Sequence, residues 1–155
     1  MFKNKHVVIA MLVAPVLSIM AWFAVDYFLS ERPHAAKEGA AYTLIAKSNC
    51  RYDSGQCDLE NADFKISIRP MSVTSSSVQL ELNSAFPLQS ATLGLVNNDT
   101  PAPPAAMRAT TGEALRWTAR IDRPSGESST IRVAVTSDGS TWYAEIPVIF
   151  LRLTN

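Results

Sequence analysis

Two hydrophobic patterns divide the chain. From Val7 to Leu29 the residues are apolar almost without interruption, and Asp26, near the far end, carries the one formal charge. Beyond Ala41, apolar and polar residues alternate in short runs separated by turn-forming residues. At about 1.5 Å per residue the first run predicts a helix of about 34 Å, enough to cross a hydrocarbon core of about 30 Å. The alternation has a period of two, which predicts half-buried antiparallel strands.

The strands can be placed one by one. Tyr42 to Lys47 reads as a first strand. Asp63 to Arg69 puts Phe64, Ile66 and Ile68 on one face, and Pro70 is expected to end it. Ser77 to Asn83, Ala91 to Val96 and Glu113 to Ile121 repeat the pattern, the last with Leu115, Trp117, Ala119 and Ile121 inward. Thr130 to Ser137 and Ser140 to Phe150 flank Asp138-Gly139, a favoured two-residue type I′ turn. That turn fixes the register: Val135 faces Trp142, Val133 faces Ala144, Ile131 faces Ile146, and Arg132 faces Glu145 on the other side. Pro147 cannot donate to a ladder, so its stretch belongs on a sheet edge or at a bulge. About seven short strands predict an all-β fold, an immunoglobulin-like β-sandwich behind one N-terminal transmembrane helix. Trp117 and Trp142, both on the apolar parity, are assigned to the core.

The flanks of the apolar run set its orientation. Lys3 and Lys5 precede it with no acid, whereas after it Glu31 offsets Arg32. The expectation is a single-pass protein of the bacterial inner membrane, with a cytoplasmic N-terminus and a periplasmic C-terminal domain. Residues 1–6 form the cytoplasmic tip, 7–29 the transmembrane helix, 30–40 a short extended tether, and 41–155 the periplasmic β-sandwich domain. The run is too long for the core of a cleaved signal, and no small-x-small site follows it closely, so an uncleaved anchor is expected. Pro15 and Ser18 sit mid-span, where a mild kink is expected. Asp26 lies one turn from the outer end, placed to reach the head-group layer or to contact a partner helix.

Composition narrows the chemistry. Of 14 basic and 14 acidic residues, Lys3, Lys5 and Asp26 precede Ser30, which leaves 12 against 13 outside. That balance gives no electrostatic reason to bind nucleic acid or an anionic surface. The two histidines are His6 in the tip and His34 in the tether, so the β domain lacks a histidine for triad or metal chemistry. No catalytic residues, metal or cofactor are assigned, and the protein is read as a non-enzyme. Cys50 and Cys57 flank a turn-forming Asp53-Ser54-Gly55 and are expected to close a local loop by a disulfide. Asp53, Asp58, Glu60 and Asp63 cluster near that loop, at a spacing that matches no calcium loop. Between Asn97 and Ala105, Pro101, Pro103 and Pro104 make an extended, exposed loop that suits docking to a partner or stiffens a connection between sheets.

The span together with the segment Ser48 to Asn61, SNCRYDSGQCDLEN, resembles an uncharacterised group of bacterial single-span inner-membrane proteins with a periplasmic β domain. The layout is also similar to that of FixH-type proteins, which assist assembly of a respiratory oxidase and carry an immunoglobulin-like outer domain. Val25-Asp26-Tyr27-Phe28 is loosely similar to the aromatic-acidic stretch that follows their span, and the cysteine loop is a departure from them. The resemblance covers the layout and carries over no functional residues; from its own pattern the chain is read as a membrane-anchored, non-enzymatic periplasmic domain that interacts with or helps assemble an envelope complex. Its partners would be the lipid bilayer and a membrane or periplasmic protein, with contacts at Pro15, Ser18, Asp26, Pro101, Pro103 and Pro104. The alternative is a periplasmic ligand- or metal-binding domain that uses the Cys50–Cys57 loop with Asp53 and Asp58.

Overall fold

The computed structural model describes residues 4–29 and 37–153, in two compact units that divide at residue 35. The first unit is one helix, α1 (Lys5–Leu29), two residues longer at its start than the apolar run. Asn4 starts it by accepting the His6 N–H on its side chain (3.3 Å), which satisfies one of the helix's free donors. The helix is continuous through Pro15, is long and apolar enough to span a membrane, and exposes its described side chains. The Asp26 side chain and the tether over 30–36 lie outside the described residues.

The second unit is mostly β, with two sheets. Twelve strand segments occur among the described residues: β1 (Ala41–Thr43), β2 (Ile45–Ala46), β3 (Cys57–Asn61), β4 (Phe64–Val73), β5 (Ser77–Ser84), β6 (Ser90–Asn97), β7 (Thr100–Pro101), β8 (Ala105–Ala106), β9 (Arg108–Ala109), β10 (Arg116–Asp122), β11 (Thr130–Ser137) and β12 (Ser140–Pro147). Sheet A runs β1-β12-β11-β6-β7, and β8 also pairs with β6; sheet B runs β2-β3-β4-β5-β10-β9. The apolar parity of each strand accounts for the faces. Leu93, Val133 and Ala144 of sheet A, and Ile66, Leu82 and Trp117 of sheet B, enter one buried cluster.

The β11–β12 hairpin has the register expected from its turn. Ile131 pairs with Ile146, Val133 with Ala144, Val135 with Trp142, and Arg132 with Glu145. Asp138 and Gly139 take φ of 47° and 72°, the left-handed pair that a type I′ turn requires. Pro147 stands beyond the last β1 pairing at Thr43–Tyr143, where no ladder donor is needed on that side.

Three expectations about the strands are corrected. The stretch Tyr42 to Lys47 is two strands in different sheets, because β1 runs parallel to β12 and β2 pairs with β3. Leu44 makes the crossing and is 3% exposed. Pro70 does not end its strand: β4 continues to Val73 through an irregularity between Pro70 and Ser72. The reason is local, since β3 stops pairing at Ile68 and leaves the far part of β4 as an edge, where proline and bulges are tolerated. Finally, Ser140 to Phe150 ends as a strand at Pro147, and Ile149–Leu151 form a single 3-10 turn that buries Phe150 and Leu151. A similar crossing occurs on the opposite side, where Met107 (5% exposed) lies between β8 of sheet A and β9 of sheet B.

A column of aromatic rings runs through the gap between the sheets. Trp142 of sheet A stacks on Phe64 of sheet B, with centroids 4.4 Å apart and planes 5° from parallel. Tyr42 covers the other face of the indole at 4.6 Å, and Phe86 extends the column beyond Phe64 at 6.1 Å. The Trp142 Nε1–H is buried and meets no acceptor among the described residues. Such a donor costs about 1–3 kcal/mol, which the ring contacts must offset. Trp142→Phe should therefore change unfolding free energy by only about 1 kcal/mol, since it removes an unsatisfied donor along with some volume. Trp142→Ala should cost about 3–5 kcal/mol. Denaturant unfolding of the full chain in detergent measures both, and equal losses would contradict this balance.

Candidate interaction surface

The cysteine loop is structural in its contacts. Cys50 and Cys57 are disulfide-bonded and fully buried within the core cluster. Gly55, at φ 78°, donates its N–H to the Phe150 carbonyl at 3.0 Å and so docks the loop on the C-terminal turn. The nearby carboxylates are dispersed. Asp53 pairs with Arg152 at 3.1 Å, and Asp58 accepts amide hydrogen bonds from Asn49 and Gln56, each at 2.7 Å. Glu60 pairs with Lys47 at 2.9 Å, and Asp63 sits in the turn between β3 and β4. Among the described residues, no three His, Cys, Asp or Glu side chains gather to hold a metal ion.

The proline-rich segment is not a free loop. Asn98 and Asp99 take φ of 46° and 63°, which makes a tight turn after β6. The chain then returns antiparallel along β6: Pro101 opposes Val96, and Ala105 opposes Leu93. Ala102 donates to the Leu95 carbonyl at 2.8 Å. Pro103 and Pro104 have no N–H to give, so pairing lapses between Ala102 and Ala105 and the segment forms a raised rim. The polar triplet Asn97-Asn98-Asp99 carried the signal for this turn, since Asn and Asp tolerate the left-handed region.

That rim borders a trough of about 580 Å³ on the outer face of sheet A. Pro101, Ala102 and Pro104 line one side, while Pro103 does not take part. Across the floor, Tyr143, Ala134 and Thr92 lie in one register row, and Glu145, Arg132 and Gly94 in the next. The Tyr143 ring, 46% exposed, stands opposite the prolines at the far side of two small residues. Arg132 Nε donates to Glu145 Oε2 at 2.8 Å, and Thr130 Oγ1 donates to Oε1 at 3.1 Å. These bonds, with that to Arg132 the larger, hold the Glu145 carboxyl below its ordinary value against a smaller opposing effect of burial. The pair is half exposed and belongs to the class worth about 0.2–1 kcal/mol, so it shapes the trough more than it stabilises the fold.

Gly94 sets the depth of the trough. Its φ is not in the left-handed region, and an added Cβ would lie 3.8 Å from Arg132 Cβ, an ordinary contact. The backbone does not require glycine there, and glycine in a strand interior is unfavourable. Pro15 and Ser18 lie on α1, in a different unit from the trough. Because the site tolerates a side chain, Gly94→Val should leave thermal stability unchanged or slightly raised while it fills the floor of the trough. A fall in Tm by more than a few degrees would show that Gly94 has a backbone role.

No family model and no curated protein matches the chain. A solved structure titled "Crystal structure of Br derivative BhCBM56" is similar in part, with a TM-score of 0.42 and 14% identity; the match covers 57% of this chain and 92% of that one.

Proposed function

We propose that this chain is a single-pass inner-membrane protein whose periplasmic, immunoglobulin-like β-sandwich acts without catalysis as a docking or assembly domain for an envelope complex. The observation that carries this reading is the trough on sheet A, an open, mostly apolar surface bounded by prolines and Tyr143 and floored by a glycine the backbone does not need. Its size lies in the range of ordinary binding clefts, and the stiff rim loses little entropy on contact. Its occupant in this reading is an extended apolar segment of a membrane-complex subunit. The arginine–glutamate pair at its side is internally neutralised, so it neither attracts nor repels by net charge.

Other features support the parts of this reading. α1 is long and apolar enough to span a bilayer, and the two lysines ahead of its apolar run favour a cytoplasmic N-terminus. A disulfide suits an oxidising compartment. The order β4-β5-β10-β9 in one sheet and β12-β11-β6 in the other corresponds to the ABED and GFC order of immunoglobulin constant-type domains, with β1 to β3, β7 and β8 as additions. An anchor raises the concentration of the domain near membrane partners. A ligand site at the cysteine loop is less favoured, because Asp53, Asp58 and Glu60 already have partners within the domain.

A photoreactive residue at Tyr143 in the full chain, expressed in intact cells, tests the proposal against the same residue at exposed Tyr52. The expected result is one membrane protein that cross-links from 143 and not from 52, co-purifies stoichiometrically, and is lost in Gly94→Val. A chain recovered alone, or adducts that persist unchanged in Gly94→Val, would overturn it.

A further inference from the structure

The near-neutral charge of the outer domain conceals a local excess of arginine at one edge of sheet B. The outward positions of β10 are Arg116, Thr118, Arg120 and Asp122, and β9 adds Arg108 opposite Thr118. Arg116 donates to Asn83 Oδ1 at 3.3 Å, and the acid on the neighbouring strand, Glu81, is held by Arg69 at 2.6 Å and Asn83 at 3.0 Å. Arg108 and Arg120 are exposed, and neither guanidinium makes an ion pair or hydrogen bond among the described residues. Asp122, the next outward position along β10, forms no ion pair there either.

These two arginines line one cleft of about 350 Å³, together with Gln79, Thr118, Ala106 and Ala119. The cleft exists because the chain leaves sheet A at Ala106 and joins sheet B only over Arg108–Ala109. β9 pairs with Trp117 and Thr118 alone, so β10 runs on past it with that edge unpartnered among the described residues. Beside two guanidinium forks, the notch offers the Gln79 amide and the Thr118 hydroxyl as donors. Its protein groups include no carboxylate.

We propose that this notch is a binding site for a phosphate-type oxyanion, held between Arg108 and Arg120 with Gln79 and Thr118 as further donors. A guanidinium matches two oxygens of a phosphate at once and stays charged at every physiological pH. Two such forks lining one notch, with neutral donors beside them, distinguish a site from scattered surface charge. The ligand chemistry is shared by free phosphate and by the phosphodiester of a lipid head group. The site lies on the other sheet from the trough and does not depend on its role.

Calorimetric titration of the full chain in maltoside micelles, which contain no phosphate, tests the inference with two soluble probes. One is inorganic phosphate; the other is glycerophosphoglycerol, the head group of an anionic phospholipid. Saturable binding of at least one probe is expected, weakened at least tenfold in the Arg108→Gln/Arg120→Gln double variant and unchanged in Arg51→Gln, an exposed arginine outside both surfaces. Tighter binding of inorganic phosphate would identify a free anion as the ligand, and tighter binding of the head group a lipid. Both substituted side chains are without partners, so the double variant should keep the parent Tm. No saturable binding of either probe, or binding retained in the double variant, would overturn the proposal.

Discussion

The two sheets depend on one apolar gap, and the stack of Trp142 on Phe64 joins its two sides directly. Aromatic rings carry more buried area than any other side chain, and near-parallel offset contact adds a further increment beyond that area. Tyr42 closes the outside of the stack from β1, so the first strand of the domain is fastened to one of its last. Leu44 and Met107 then fill the two sides of the gap where the chain passes from sheet A to sheet B. With the inward faces committed in this way, only outward faces and edges remain for recognition. Both surfaces proposed for binding lie there: the trough on the outside of sheet A and the arginine notch at the edge of sheet B.

What could be read from the sequence follows from which physical signals agree. In the β11–β12 hairpin the turn residues and the apolar parity independently specify one register, and that register is observed. Where signals conflicted, the reading failed. Tyr42 to Lys47 has the composition of one strand, but a single buried leucine turns it between sheets, a choice set by partners distant in sequence. Pro70 is a strand breaker only when both sides of its strand are paired, and pairing on one side ends at Ile68. β3 escaped notice because Cys57 and Leu59 alternate with acids in a stretch that reads as a polar loop. The disulfide was legible because a spacing across a turn-forming triplet needs no long-range information.

The surfaces proposed for binding were only partly legible. Pro101 and Pro104 stood out as a stiff exposed segment, yet their partner across the trough, Tyr143, is reached only through the registers of β6, β11 and β12. Gly94 gave no signal of its own, because its importance lies in what its missing side chain leaves open. The arginine notch was masked by summation. Twelve basic and thirteen acidic residues cancel from Ser30 onward, while folding ties Arg69, Arg132 and Arg152 to carboxylates and leaves Arg108 and Arg120 without them.

The account stands on the two sheets facing each other across the Trp142–Phe64 contact. Nuclear Overhauser spectroscopy of the full chain in micelles, with selectively labelled Trp and Phe, measures that contact directly. Strong cross-peaks between the Trp142 indole and the Phe64 ring, abolished by Phe64→Leu, are the expected result. A folded chain with no such cross-peaks would contradict the arrangement of the sheets and, with it, the outward faces on which both proposed binding surfaces depend.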